Sequence, residues 1–436
     1  MKIPPVKGTR DFYPPDMAVH NFIVDGWKKV SLRNGFEEYD GPIFEYLKMF
    51  QIKSGDEIVE QLFSLTDRGG RDLALRPEMT PTLARMVNQR INSLPRPIKW
   101  FSVPRLFRAE RPQKGRLREF FQWNIDIIGV DDVLADAEII FTTVDYLRNV
   151  GLTPKDVKVR ISSRKLLAAV LKSYGVPDGK LESLYVVLDK KAKLHSETFE
   201  QLLAEQVPDN ETLAKISAFI QIDSLPELGE LIDAGSEAFA AYKEIKKVLY
   251  ILETMGVGDF CVYDPGIVRG LAYYTGIVFE VHDAVGDLRA ICGGGRYDNL
   301  LHDFGGPAVS ATGMGMGDCV LEILLKEKGL LDKQVPKRHL EYFVIGTGDV
   351  DEQAEEEAYQ ITAKLRSMGY SANFSYKMGG LSKQLKEASA QNAKKCVIIG
   401  EEFKDRKLTV KDMATGEQKL MDVDEFLSGL DSAKRI

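Results

Sequence analysis

The segment Phe107–Gly129, FRAERPQKGRLREFFQWNIDIIG, constrains the fold more than any other. Ile98–Phe107 is apolar and predicts a strand. Arg111–Arg118 holds Pro112 and Gly115 and predicts a loop. Glu119–Ile128 returns as a second strand, giving an antiparallel pair around an arginine-rich loop. The returning strand alternates cleanly. Phe121, Trp123, Ile125 and Ile127 fall on one face, and Gln122, Asn124 and Asp126 on the other. That polar face is either the wet side of a sheet or a pocket floor on which Asp126 accepts a proton-bearing group of a small substrate and Gln122 orients it. Arg108 and Arg116 flank the floor. A guanidinium fork suits phosphate because it is always charged and binds two oxygens at once.

The rest of the chain places this pair in a larger body. At 436 residues there is room for two or three domains. Residues 1–325 mix strands and helices and carry most of the Gly and Arg punctuation. Within them, 172–252 reads as a helical insertion, with helices predicted at Ser196–Glu205, Glu211–Ile220 and Glu237–Glu253. Residues 326–338 are Lys-rich, contain Pro336 and suit a linker. From 339 to 436 strands alternate with helices: Tyr342–Ile345, then a helix Asp351–Ser367 with Ala354, Ala358, Ile361 and Leu365 on one face. Strand Ser371–Phe374, helix Leu381–Ala390 and strand Cys396–Ile399 follow. This alternation predicts a small α/β domain.

Composition excludes several classes. Hydrophobic residues at 44% and charged residues at 28% describe an ordinary globular chain. No apolar run approaches the ~18–20 residues that span a bilayer, and Met1–Pro5 contains no apolar signal core. The four cysteines and five histidines are scattered, without a Cys-x-x-Cys pair. We expect a cytoplasmic protein with reduced thiols, no membrane association and no protein-bound transition metal. The net charge of −7 does not favour a polyanionic partner, but two stretches run against it. Arg105–Glu119 holds six basic residues and two acids, and Lys377–Lys411 holds nine and four. Each is a solvated surface or a local nucleic-acid contact.

Three more segments carry candidate chemistry. In Ala74–Met86, ALRPEMTPTLARM, Thr80-Pro81 predicts a helix start with Thr80 as N-cap. Glu78 just before it is a capping carboxylate or a ligand for an ammonium group. In Ile267–Asp283, IVRGLAYYTGIVFEVHD, Arg269 and the paired Tyr273 and Tyr274 precede a strand, Ile277–Val281. They suit a pocket wall, although paired tyrosines also pack cores. Gly293-Gly294-Gly295 would let a flat ligand such as adenine approach the backbone. The alternating glycines of Thr312–Leu325, TGMGMGDCVLEILL, mark a strand approached by a ligand or tight helix–sheet packing. Neither a Walker-type loop nor a dinucleotide fingerprint is present, so a nucleotide would be held by other means.

Together these segments resemble the class II aminoacyl-tRNA synthetases. RAERPQKGR between two strands is similar to their motif 2, and NGFEEYDGPIFEYLKMF to motif 1, which forms the dimer interface in that family. VRGLAYYTG, KGTRDFYP and LRPEMT resemble the histidyl branch, and 339–436 resembles its anticodon-binding domain. The resemblance implies an α+β catalytic domain on an antiparallel sheet, ATP and Mg2+ as cofactors, and L-histidine and tRNA(His) as partners of a homodimer. It implies that Glu78 and Thr80 hold the histidine amino group, and that Gln122 and Asp126 bind histidine. Arg108 would meet the substrate carboxylate and the α-phosphate, and Arg116 the γ-phosphate, with Glu110 beside them at the ATP. Arg269 would stabilise the α-phosphate in the transition state, Tyr273 and Tyr274 would close around the imidazole, and Arg111 and Gln113 would approach the tRNA acceptor end.

The chain departs from the family pattern at Met79 and Ala272, where Gly and Asp are frequent. The segment GMGMGDCVLEILL, which resembles the family's motif 3, also lacks the arginine usual after its last glycine. Two other readings stay open: a histidine-sensing regulatory paralogue, as in ATP phosphoribosyltransferase, and a synthetase for another amino acid. A nucleic-acid-binding module without chemistry would have no need of Gln122 and Asp126 on one strand face.

Overall fold

The computed structural model describes residues 3–52, 61–191, 194–268, 273–285, 288–336, 339–346, 352–376 and 380–430. Two compact units emerge, Met1–Val335 and Pro336–Ile436.

In the first unit the strands are β1 (Glu37–Glu38), β2 (Phe44–Tyr46), β3 (Ser64–Thr66), β4 (Asp72–Leu75), β5 (Ile98–Ser102), β6 (Arg105–Phe107), β7 (Glu119–Ile128), β8 (Val157–Ser163), β9 (Cys261–Tyr263), β10 (Ile277–Asp283), β11 (Cys292–Arg296) and β12 (Ala311–Gly317). Nine of them form one sheet in the order β1-β5-β7-β12-β11-β10-β8-β9, with β6 beside β7. The run from β5 to β8 is antiparallel, and β1 and β9 add in parallel at the edges. β2, β4 and β3 form a separate small sheet.

The expected strand Ile98–Phe107 is two strands. Pro104 has no N–H to give a ladder, and its carbonyl instead accepts the Gln122 N–H at 3.1 Å. β7 therefore pairs with β5 and β6 in turn.

Alternation on β7 decides where the core lies. Trp123, Ile125 and Ile127 are buried against helices Pro14–Arg33 and Leu134–Asn149, and Met314 and Met316 of β12 join them. Trp123 stacks on Trp27 at 6.3 Å, and its indole N–H donates to Ser31 Oγ at 2.8 Å. The indole thus buries its body without leaving its polar atom unpaired. Among the described residues six helices run between β8 and β9, from Arg164–Ser173 to Glu237–Thr254. Their buried Leu184, Phe199, Leu203 and Ile216 belong to the same apolar cluster as Trp123, so these helices extend one core. The Lys-rich stretch after β12 contains a short helix, Leu330–Gln334. Leu331 is buried and the Gln334 amide donates to Val150 O at 2.8 Å, so a connection begins only beyond Gln334.

In the second unit β13 (Leu340–Gly346), β14 (Ala372–Phe374), β15 (Ala393–Ile399), β16 (Lys407–Asp412) and β17 (Gln418–Asp422) form one sheet in the order β14-β13-β15-β16-β17. β14, β13 and β15 are parallel, and β16 and β17 close it in antiparallel fashion. Helix Glu352–Ser367 packs Ala358, Ile361 and Leu365 on one face, and helix Leu381–Ala390 packs Ala388 on the other. Among the described residues no helix is long and apolar enough to cross a membrane.

Candidate active site

The polar face of β7 is the floor of a cavity because the neighbouring strands withdraw their side chains from it. Register sets Gly313 opposite Asp126, Gly315 opposite Asn124 and Gly317 opposite Gln122. β11 continues the row, with Gly293 beside Gly315 and Gly295 beside Gly313. Paired residues share a face. Five glycines therefore lie level with the polar side chains of β7, while Met314 and Met316 turn into the core. A Cβ on Gly313 would overlap the Asp126 carboxylate, and one on Gly315 would lie 3.0 Å from the Gln122 amide. The alternating glycines thus serve close approach to this face, and helix–sheet packing does not account for them.

One end of the face is covered by helix Thr80–Arg90 and its buried Leu83, Ala84 and Val87. The other end opens into a cavity of about 1180 Å³, lined among others by Arg108, Arg116, Gln122, Glu280, Gly293 and Gly315.

Around the covered end the structure gathers a buried polar group. Asp126 is buried and accepts the Tyr297 hydroxyl at 2.6 Å. Burial lifts its carboxyl to about 7, against the pull of that hydrogen bond. Burial, and then the facing Asp126, hold Tyr297 well above the usual phenol range, so it stays a donor. Tyr273 lies 5.9 Å from Tyr297 edge-on and 5.0 Å from Tyr274, and its hydroxyl reaches the buried Glu78 at 3.5 Å. Tyr274 turns partly away and borders a second cavity of about 480 Å³ with Arg164 and Lys165.

Thr80 is the first helical residue rather than the N-cap. Met79 occupies the cap with α-like backbone and makes no side-chain cap bond. The reason is local: Arg76, 3% exposed, ties the preceding segment to Asp40 at 2.7 Å and to the Gly41 carbonyl at 2.8 Å, which fixes how the chain enters the helix.

Arg108 follows β6 and its Nε donates to Pro77 O at 3.1 Å, joining the arginine loop to the segment that carries Glu78. Its guanidinium also stands 5.3 Å from the Phe120 ring centre. Arg116 pairs with Glu110 at 2.8 Å. The loop folds back between Gln113 and Arg116 through two backbone bonds of 2.9 and 3.0 Å, with Gly115 at φ +74° making the turn. Arg111 and Gln113 are exposed on it. Arg269 lies outside the described residues.

Sequence reasoning missed Tyr297 as the partner of Asp126, and it missed Glu280, His282 and Arg160 on the cavity wall. The signal was available for the wall. Val278, Glu280 and His282 alternate on β10, and Glu280 pairs in register with Gly293. His282 Nε2 and Glu280 Oε2 are 2.9 Å apart.

Comparison with known proteins identifies the family. The family model described as histidyl-tRNA synthetase matches residues 8–317, and one described as anticodon binding domain matches residues 341–432. The chain is 40% identical over 412 residues to the histidine–tRNA ligase of Opitutus terrae, covering 94% of this chain and 93% of that one. It is 39% identical over 424 residues to the chloroplastic/mitochondrial histidine–tRNA ligase of Arabidopsis thaliana, covering 96% and 86%. Among solved structures, histidyl-tRNA synthetase from Nostoc shares the fold at a TM-score of 0.82 and 24% identity, covering 98% of both chains. Apo histidyl-tRNA synthetase from S. aureus gives 0.73 at 26% identity, covering 98% and 99%. With a family model over most of its length and relatives of this identity along nearly all of it, the chain belongs to the histidyl-tRNA synthetase family.

Proposed function

We propose that this chain joins L-histidine to tRNA(His) in two steps, forming a histidyl-adenylate from ATP and then passing the histidyl group to the tRNA. The observation that carries this reading is the glycine-paved floor between a buried Asp126–Tyr297 pair and the Arg108–Arg116 wall. An imidazole N–H fits the Asp126 carboxylate, and a site built of buried polar groups rejects side chains that leave them unpaired. Glu78, beside Tyr273 and Thr80, suits the ammonium group. Gln122, between the two ends of the floor, suits the carboxylate end.

In the first step the histidine carboxylate attacks the α-phosphorus and diphosphate leaves. Charge builds on the α-phosphate oxygens, and a fixed guanidinium aimed there lowers the barrier. Arg108 is free to do so, since its described contacts are a carbonyl and an aromatic ring. By resemblance Arg269 is its partner. We expect Arg269→Ala to abolish diphosphate exchange while calorimetry still detects histidine binding; normal exchange would remove that role. The row of glycines suits adenine. Glu110 and Glu280 both line the cavity. Their hard oxygen donors would hold Mg2+, which would offset the charge of the phosphates.

By resemblance Arg111 and Gln113 would meet the tRNA acceptor end, and their exposure on the loop supports this. We assign residues 1–325 to catalysis and 339–436 to anticodon binding. The small β2-β4-β3 sheet and the turn before it expose Ile43, Phe44, Tyr46 and Leu65 at 48–59%. Such a clustered apolar surface supports a homodimer. The proposed setting is the cytoplasm. The paralogue reading is weaker, because the chain keeps Arg108 and Arg116 together on the cavity wall, two cations that a histidine sensor does not require.

The decisive experiment is ATP–diphosphate exchange with each of the twenty amino acids in turn. Exchange with histidine alone establishes activation and specificity together. Absence of exchange from folded protein with Mg2+ would favour the sensing paralogue.

A further inference from the structure

The positive charge around the cavity is unevenly committed. Arg116 is paired with Glu110 at 2.8 Å and Arg160 with Asp264 at 3.3 Å. Arg108 and Arg289 line the same cavity, and neither makes an ion pair among the described residues. Arg289 stands exposed on the connection from β10 to β11. Its guanidinium donates to the side-chain carbonyl of Gln113, a neutral acceptor at the tip of the arginine loop. Because Gln113 is bonded through its backbone to Arg116, Arg289 is fastened to the strip that carries Arg116.

The wall beyond β12 has no such cation among its described residues. Helix Asp318–Glu327 begins there with Asp318, Cys319 and Val320. Asp318 is a carboxylate already taken by Arg10 at 2.5 Å and by the Phe121 N–H at 3.0 Å. Val320 lies against the arginine loop, where a Cβ on Gly115 would come within 2.9 Å of it. Lys114, over the same helix, is paired with Glu327 at 3.1 Å. A triphosphate in the cavity would meet an acid and apolar groups on that side.

We propose that Arg289 binds the β- and γ-phosphates of ATP and the diphosphate leaving group, supplying from the β10–β11 connection the cation that the β12–helix junction lacks. The proposal rests on the histidine-activating reading. Its physical basis is the choice of partner. A guanidinium held by a neutral amide can turn to phosphate oxygens without breaking an ion pair, and it gains a charge-assisted bond in doing so. Arg116 must first release Glu110.

The test uses the full-length protein with Arg289→Ala and Arg289→Lys. Diphosphate exchange with histidine gives KM for ATP and for diphosphate. Calorimetry gives the affinity for a non-hydrolysable histidyl-adenylate analogue, which carries no β- or γ-phosphate. For Arg289→Ala we expect both KM values to rise on the order of 10–100-fold, as loss of a charged hydrogen bond predicts. The KM for histidine and the analogue affinity should stay unchanged, and Arg289→Lys should recover part of the loss. A merely structural role would weaken ATP and analogue together, and that result overturns the proposal. So does an unchanged ATP KM in Arg289→Ala beside active wild-type protein. Wild-type protein without exchange overturns the underlying reading as well.

Discussion

The two large sheets treat their faces differently. In the second unit, successive residues of β13 enter two apolar clusters, Tyr342 and Val344 on one side and Phe343 and Ile345 on the other. Both faces are spent on packing, so ligand contacts must come from the edges and the surface. In the first unit, β7 spends one face on the core through Trp123, Ile125 and Ile127. It keeps the other for Gln122, Asn124 and Asp126. A sheet can hold a buried polar face only if adjacent strands give it room, and the β11–β12 glycines do so. The proposed chemistry therefore sits where the pattern of packing is broken on one side only.

The most severe challenge to this contrast is to damage both cores equally. Trp123→Ala and Phe343→Ala each remove a fully buried aromatic side chain, and each should cost ~3–5 kcal/mol in denaturant unfolding. Only Trp123→Ala should abolish diphosphate exchange, since it undermines the floor. Phe343→Ala should leave exchange intact and depress tRNA charging. Equal loss of exchange in both would dissolve the division of labour.

Next in size is Asp126→Asn, which alters the polar face and leaves the core alone. The kcat/KM for histidine should fall on the order of 100-fold while the ATP KM holds. An unaffected enzyme would mean that this face is only structural.

The same carboxylate gives a pH signature. With its pKa raised to about 7, Asp126 is protonated in the free site below that pH and loses the charge that an imidazole N–H needs. Histidine itself titrates near ~6.5, so the ratio of wild-type to Asp126→Asn kcat/KM isolates the protein group. That ratio should shrink as pH falls through 7. For stability the sign is reversed. A carboxyl with a raised folded pKa costs nothing below its unfolded value of 3.8, and its cost grows up to about pH 7. Asp126→Asn should accordingly gain stability over wild type between those limits; a pH-independent difference would contradict the burial argument.

The smallest expected effect is that of Tyr297→Phe. Losing one neutral donor should raise the histidine KM ~3–10-fold and move the acid limb to higher pH, because the hydroxyl bond is what holds Asp126 down. A limb that stays in place would show that another donor holds it.

Much of the architecture is legible in the sequence because it is local. Period-two alternation assigns the faces of β7, and the helices read at Ser196–Glu205, Glu211–Ile220 and Glu237–Glu253 fall within a residue of the observed Ser196–Gln206, Asn210–Phe219 and Glu237–Thr254. Legibility falls where the signal is weak. β16 and β17 escape a reading by pattern because β17 is a mostly exposed edge strand with few apolar residues. Pro104, a clear breaker, is easily lost inside an otherwise apolar run. Within the Lys-rich stretch 326–338, the short helix Leu330–Gln334 is hidden from a reading by pattern, because its one buried leucine, Leu331, shows only in the fold.

The polar and apolar faces of β7, the arginine loop before it and the alternating glycines near residue 315 are fixed by the chain alone, for each is a property of neighbouring residues. That Gly313 faces Asp126, that Tyr297 donates to it and that Arg289 reaches Gln113 across the cavity is settled only by folding. The last two of these pairs join residues 171 and 176 positions apart. Their meeting depends on strand order and register, which the summed packing of the whole sheet selects and no local pattern encodes.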